Sequence, residues 1–150
     1  MKKNIVGFAL GALQRVRKFA WRFTGRPAGV HALALTTSRR LVLVKLTYAH
    51  GWRAPGGGIK RGESLEEAVV RELAEEIGMT SHRRIEQDFV IEDPAAGTVF
   101  VLHDVEYRPN PSWEIEVVAE FDIDRLPADL APRARAWIEQ ARRAGAFYRR

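Results

Sequence analysis

Glu72, Glu75 and Glu76 fall within five residues of a single helical stretch, RELAEEIGM. Carboxylates three and four residues apart on a helix repel one another, at roughly 0.2–0.5 kcal/mol per pair. A solvated acidic face is the ordinary explanation of such a run. The residues upstream offer another. Gly56, Gly57 and Gly58 open the same 24-residue unit, GGGIKRGESLEEAVVRELAEEIGM, and Glu63 stands between them and the helix. Hard divalent cations such as Mg²⁺ take oxygen ligands and are usually held by one or two carboxylates together with substrate phosphates. Glycines let main-chain carbonyls and amides approach such an ion, or a phosphate, with no side chain in the way. Carboxylates that repel one another when bare are drawn together by a cation between them, so the pattern fits metal-assisted phosphoryl chemistry.

These groups can act together only if the helix is set edge-on to the glycine loop. Ser64 and Glu67 form an S-x-x-E capping box, which predicts a helix start at Ser64. Val69, Leu73 and Ile77, joined by Val70, form its apolar stripe, and Gly78 stands where a left-handed C-cap ends it. With Glu72 at the angular origin, Glu76 lies at about 40° and Glu75 at about −60°, while the apolar stripe spans roughly 60° to 140°. One edge therefore faces a core and the next carries the carboxylates.

The rest of the chain supplies the sheet. VHALALTT and LVLVKLTY flank the polar turn SRR and predict a hairpin over residues 30–47. AHGWRAPGGGIKRGE, with five glycines and a proline, predicts a loop holding a short strand near Trp52. RRIEQDFVIED and TVFVLHDVEYR flank DPAAG as a second hairpin, and WEIEVVAEFDI predicts a further strand. A last helix carries Ala136, Trp137, Ile138 and Ala141. This order of elements predicts an α+β or mixed-sheet sandwich.

Counting from Gly57, the chain has a glycine, five residues, Glu63, seven residues, Arg71-Glu72-Leu73, one residue, Glu75-Glu76, one residue, and Gly78-Met79. In every fixed position this resembles the signature box of the Nudix hydrolases, and the order of elements over residues 29–145 resembles the rest of that fold. The resemblance implies an α+β fold, an α/β/α sandwich around a mixed central sheet with the catalytic helix at 64–77 and a C-terminal helix. It implies hydrolysis of a nucleoside diphosphate linked to another moiety, by water attack on phosphorus. Glu72, Glu75 and Glu76 would be ligands of Mg²⁺ or Mn²⁺, with the Gly57 carbonyl as a main-chain ligand. Glu63 and Arg71 would pair and hold the loop of Gly56 and Gly58 against the helix.

Family members differ in which glutamate acts as base, some using one beyond the box. In EIEVVAEFDIDRLP, Phe121, Leu126 and Pro127 match the related pattern, and Glu114 matches its first acid. Glu116 is an offset candidate, and strand alternation predicts that Glu114, Glu116 and Glu120 share one face. Tyr48 and Trp52 lie just upstream of the glycines, where a ring could stack on a base or simply pack. Pro94 follows Met79 by 15 residues, as a proline does in the branch that hydrolyses ADP-ribose, although DPAAG is also an ordinary turn. A nucleotide-sensing domain that does not cleave is the alternative reading, and loss of box glutamates would favour it; none is lost.

The 150 residues suit one domain, and the absence of cysteine excludes disulfides, thiolate metal sites and a cysteine nucleophile. Of the 24 Lys/Arg, seven lie in residues 1–26 with no acid, leaving 17 against 19 Asp/Glu over residues 27–150. The net charge of +5 therefore belongs to the N-terminal segment and is no sign of a nucleic-acid partner. Residues 4–23 predict a basic amphipathic helix, placing Ile5, Ala9, Ala12, Val16, Phe19 and Phe23 opposite Arg15, Lys18 and Arg22. Two roles stay open for it, packing on the domain or on a second subunit in a homodimer, and peripheral contact with a membrane surface. Its apolar run is far below the roughly 20 residues a spanning helix needs. The expectation is a Nudix domain over residues 27–150, cytoplasmic, with surface membrane association as the second role allows.

Overall fold

The computed structural model describes residues 29–110 and 112–149, so the amphipathic segment predicted over residues 4–23 lies outside the described residues. The elements run β1 (Gly29–Thr36), β2 (Leu41–Leu46), β3 (Trp52–Arg53), β4 (Gly56–Gly57), α1 (Leu65–Glu76), β5 (Met79–Ser81), β6 (Arg84–Asp93), β7 (Gly97–Tyr107), β8 (Ile115–Phe121) and α2 (Pro132–Arg143). Both predicted hairpins form, as β1–β2 and β6–β7. The strands make one mixed sheet in which β1 and β7 run parallel from Gly29 opposite Gly97 to Thr36 opposite Val105, while the other pairs are antiparallel.

β1 is apolar at nearly every position because both faces of the sheet are covered. Val30, Ala32 and Ala34, with Val42, Val44 and Leu46 of β2, face Ala68, Val69, Leu73 and Ile77 of the glutamate helix. Leu33 and Leu35, with Leu41 and Leu43, face Trp137, Ile138 and Ala141 of α2, and the fully buried Phe147. The C-terminal helix inserts Ala134 in addition to Trp137, Ile138 and Ala141, whereas Ala136 is exposed. The sheet thus separates two cores. Because Leu73 is wholly buried in the first of them, Leu73→Ala should lower the unfolding free energy by about 2–5 kcal/mol, read as a shift in urea midpoint at constant m-value.

One irregularity positions the site. β1 and β2 pair at Ala34–Val42 and Leu35–Leu41 and then part. β3 fills the opening against β2, with Val44 opposite Arg53, and β4 fills it against β1, with Val30 opposite Gly57. The Ala32 N–H donates to the Pro55 carbonyl at 2.9 Å, so Ala54-Pro55 carries the chain across the gap. The glycines expected in a loop are in part a sheet strand.

Candidate active site

The glutamate helix is fixed at both ends by local chemistry. Ser64 accepts from the Glu67 N–H while Glu67 accepts from the Ser64 N–H, completing the predicted capping box. At the other end Gly78 takes φ +73, the left-handed conformation that stops the helix, and packs so closely on the Arg108 carbonyl that no Cβ fits. With its register set, α1 lays its acidic edge on β4.

There the solvated-face explanation fails, since Glu72 and Glu76 are 1% and 4% exposed. The Gly56 N–H donates to Glu76 Oε2 at 2.9 Å. The Glu72 carboxylate lies so close to the Gly57 α-carbon that a Cβ there would sit 2.5 Å and 2.6 Å from its two oxygens. Two consecutive glycines of a sheet strand thus accommodate two carboxylates one helical turn apart. Glu75, the third of the cluster, is turned outward with 44% of its side chain exposed.

Arg71 ties the assembly together. Its Nε and Nη2 donate to the two Glu63 oxygens at 2.6 Å and 2.9 Å, a bidentate pair. Nη2 also donates to the Gly58 carbonyl at 2.9 Å, and Nη1 to Glu72 Oε1 at 2.9 Å and Glu75 Oε1 at 3.4 Å. Helix, loop and both kinds of glutamate meet at one guanidinium. The Arg71 hydrogen bonds, aided by the Lys60 N–H, lower the Glu63 carboxyl from 4.5 to about 2. A carboxylate depressed in the folded state adds stability above its unfolded pKa, and that contribution is lost as pH falls toward the folded one. The urea midpoint of the wild type should therefore fall between pH 4.5 and pH 2 more steeply than that of Glu63→Gln, which has already lost the term.

Beyond the box, the structure corrects one sequence expectation. β8 carries a bulge opposite Lys45 and Leu46, so Ile115, and not Glu116, pairs with Leu46 and enters the α1-side core. An added residue inverts the alternation, and Glu114, Glu116 and Glu120 do not share a face by simple parity. Glu120 accepts from the Tyr107 hydroxyl at 3.1 Å and lies 3.6 Å from Arg40 Nε. Exposed Glu116 lies at the bulge, and half-buried Glu114 immediately precedes β8, its carbonyl accepting from the Thr47 N–H at 2.8 Å.

The two aromatic candidates separate. Trp52 stands opposite Lys45, packs against the α2-side core and meets Phe121 edge-on at 4.8 Å, on the face away from the glutamates. Tyr48 packs on the α1-side core and so shares their face. Pro94 opens the β6–β7 turn, where Asp93 accepts from the Ala95 N–H through Oδ1 and from the Ala96 N–H through its carbonyl. The sequence did not reveal the strand pairing of Gly56–Gly57 or the exposed Trp113, whose one signal was its place after the proline-rich stretch PNPS.

The donors suit a hard cation: two buried carboxylates, with the Gly57 main chain bare beside one of them. Among the described residues no group of three or more His, Cys, Asp or Glu side chains is placed to chelate an ion by itself.

Comparison with known proteins identifies the family. Residues 25–141, more than half of the chain, match the model of the NUDIX domain. A putative 8-oxo-dGTP diphosphatase of Bacillus subtilis is 44% identical over 50 residues, 33% of this chain and 34% of that protein. An RNA pyrophosphohydrolase of Shewanella piezotolerans is 38% identical over 55 residues, 37% of this chain and 32% of that protein. The aligned part thus spans about a third of these curated relatives. The crystal structure of a MutT NUDIX hydrolase from Burkholderia pseudomallei superposes with a TM-score of 0.61 at 26% identity, covering 77% of this chain and 98% of that one. With the family model covering most of the described residues and the fold shared with this hydrolase, the chain belongs to the Nudix hydrolase family.

Proposed function

We propose that this protein is a metal-dependent pyrophosphohydrolase that cleaves a diphosphate linkage in a nucleoside diphosphate-linked substrate. The observation that carries the reading is the burial of Glu72 and Glu76 against Gly56 and Gly57. Two carboxylates enclosed one turn apart are an arrangement that a bound cation and a phosphate would stabilise.

Glu72, Glu76 and the Gly57 carbonyl would hold Mg²⁺ or Mn²⁺, with Glu75 as a further ligand. The bound ion would neutralise charge on the non-bridging phosphate oxygens and acidify a water. The chain's own residues do the rest. Arg71 and Glu63 keep Gly58 and the loop against α1, so the diphosphate meets a fixed surface. A water oxygen bonds to phosphorus as the bridging P–O bond breaks, the water's proton passing to a carboxylate and the leaving phosphate departing as an anion. Glu114 or a box glutamate takes that proton. Tyr48 lies on the same face and would contact the nucleoside end. No helix among the described residues is long and apolar enough to cross a membrane.

Two narrower readings gain no support. The β6–β7 turn accounts for Pro94 without an ADP-ribose substrate. Loss of box glutamates would favour a domain that senses without cleaving, and Glu72, Glu75 and Glu76 are all kept. The experiment is a panel of nucleoside triphosphates, nucleotide sugars, ADP-ribose and dinucleotides, incubated with Mg²⁺ or Mn²⁺ and resolved by chromatography. Release of a nucleoside phosphate that stops on chelation supports the reading; no cleavage of any member with either metal refutes it.

A further inference from the structure

We infer that Trp113 is the platform on which the substrate's nucleobase stacks, an assignment that rests on the pyrophosphohydrolase reading above. Trp113 is 60% exposed, the most exposed of the large hydrophobic side chains described. An exposed tryptophan by itself is ordinary. The backbone that carries this one is tethered. Thr47 Oγ1 donates to the Trp113 carbonyl at 2.7 Å, the Thr47 N–H donates to the Glu114 carbonyl at 2.8 Å, and the Ile115 N–H donates to Ser112 Oγ at 3.0 Å. The ring is presented to solvent from a backbone fastened on both sides, which lowers the ordering entropy lost when a flat ligand settles on it.

Its place in the sheet specifies the ligand. β1 and β2 run antiparallel with Ala34 opposite Val42, so Thr47 and Tyr48 leave β2 at the end of the sheet where Val30 meets Gly57. Trp113, Glu114 and Tyr48 therefore border the same end as the glycine strand and its two carboxylates. From β8 to β2 and from β2 to β3 are two inter-strand steps, about 10 Å at the usual spacing, and the two residues Ala54 and Pro55 then link β3 to β4. An extended nucleoside diphosphate has that reach from base to terminal phosphate. With the phosphates at Gly57, the base arrives at the loop that carries Trp113. Stacking is tolerant of base identity, since every base offers a π-face, so the platform selects for a base without choosing among bases.

The test compares ligands with and without a base. The non-cleavable α,β-methylene analogues of ADP, GDP, UDP and CDP, and methylenediphosphonate as the base-free probe, are titrated with Mg²⁺ into wild type, Trp113→Ala and Trp113→Phe by calorimetry. Trp113→Ala should weaken the tightest nucleotide analogue about tenfold or more and leave the diphosphonate unchanged, while Trp113→Phe recovers most of the loss. On cleaved substrates the loss should appear in KM, with kcat retained. Equal weakening of both ligand classes, or none, overturns the assignment. If Trp113→Ala hydrolyses nucleotides with wild-type kcat/KM, this inference alone falls; if the wild type cleaves none, the functional reading falls with it.

Discussion

Glu76→Gln should reduce metal-dependent turnover by about 10²-fold or more while leaving the fold intact. The amide has the shape of the carboxylate, and its oxygen can still accept the Gly56 N–H that now bonds Glu76 at 2.9 Å. What disappears is one negative charge in a site that is 4% exposed, where water cannot supply a replacement. Two effects of the change on stability oppose each other. A charge-assisted hydrogen bond becomes a neutral one, which weakens it, and the like-charge neighbour one turn away at Glu72 loses its repulsion. The urea midpoint of the metal-free protein should therefore move little. Mn²⁺ titration by calorimetry separates the causes: the variant should bind the ion more weakly and turn over more slowly. Equal turnover by both proteins would remove Glu76 from the chemistry.

The adjacent glycines should respond to alanine in opposite ways, although the added methyl is the same. Neither takes a positive φ, so what each position requires is room rather than an unusual backbone conformation. At Gly57 the new Cβ meets the end of the Glu72 side chain, which can rotate away. Gly57→Ala should fold with a loss of about 1 kcal/mol or less and lose about 10²-fold in kcat, because the displaced carboxylate would no longer reach the metal it is proposed to hold. At Gly56 the new Cβ meets the Val30 carbonyl and lies 2.7 Å from the His31 Cα, main-chain atoms of β1 that cannot give way alone. Gly56→Ala should cost about 3 kcal/mol or more, seen as an early urea midpoint. A folded Gly57→Ala with full activity would show that Glu72 need not lie against the strand.

How much of this was legible before the coordinates depended on how local the cause is. The helix could be bounded from its own residues, since Ser64, Glu67 and Gly78 act within one turn of where they stand. The Glu63–Arg71 pair came from the family resemblance and also lies within one short unit. The parting of β1 from β2, and the parallel neighbour β7, depend on partners tens of residues away and leave no periodic mark. The pattern of β8 was misleading for a different reason: EIEVVAEF alternates well enough, but one bulged residue inverts the sense of all that precedes it. Trp52 illustrates the limit for single residues. Its closeness to the glycines in sequence suggested the site, and the pleat of a two-residue strand turned it to the other face.

The opening between β1 and β2 also bears on how such a chain changes over generations. The residues proposed to meet the diphosphate sit on strand and helix, fastened by sheet pairing, a cap and one guanidinium, where insertions would break the pairing. The segments at residues 47–51 and 112–114 hang from the far side of the opening, and loops of that kind accept changes in length and composition. A mutation there can alter which molecule is welcomed without disturbing how the phosphorus is attacked. Selection can therefore act on the two traits separately, and one inherited reaction centre can be fitted with new recognition loops in successive lineages.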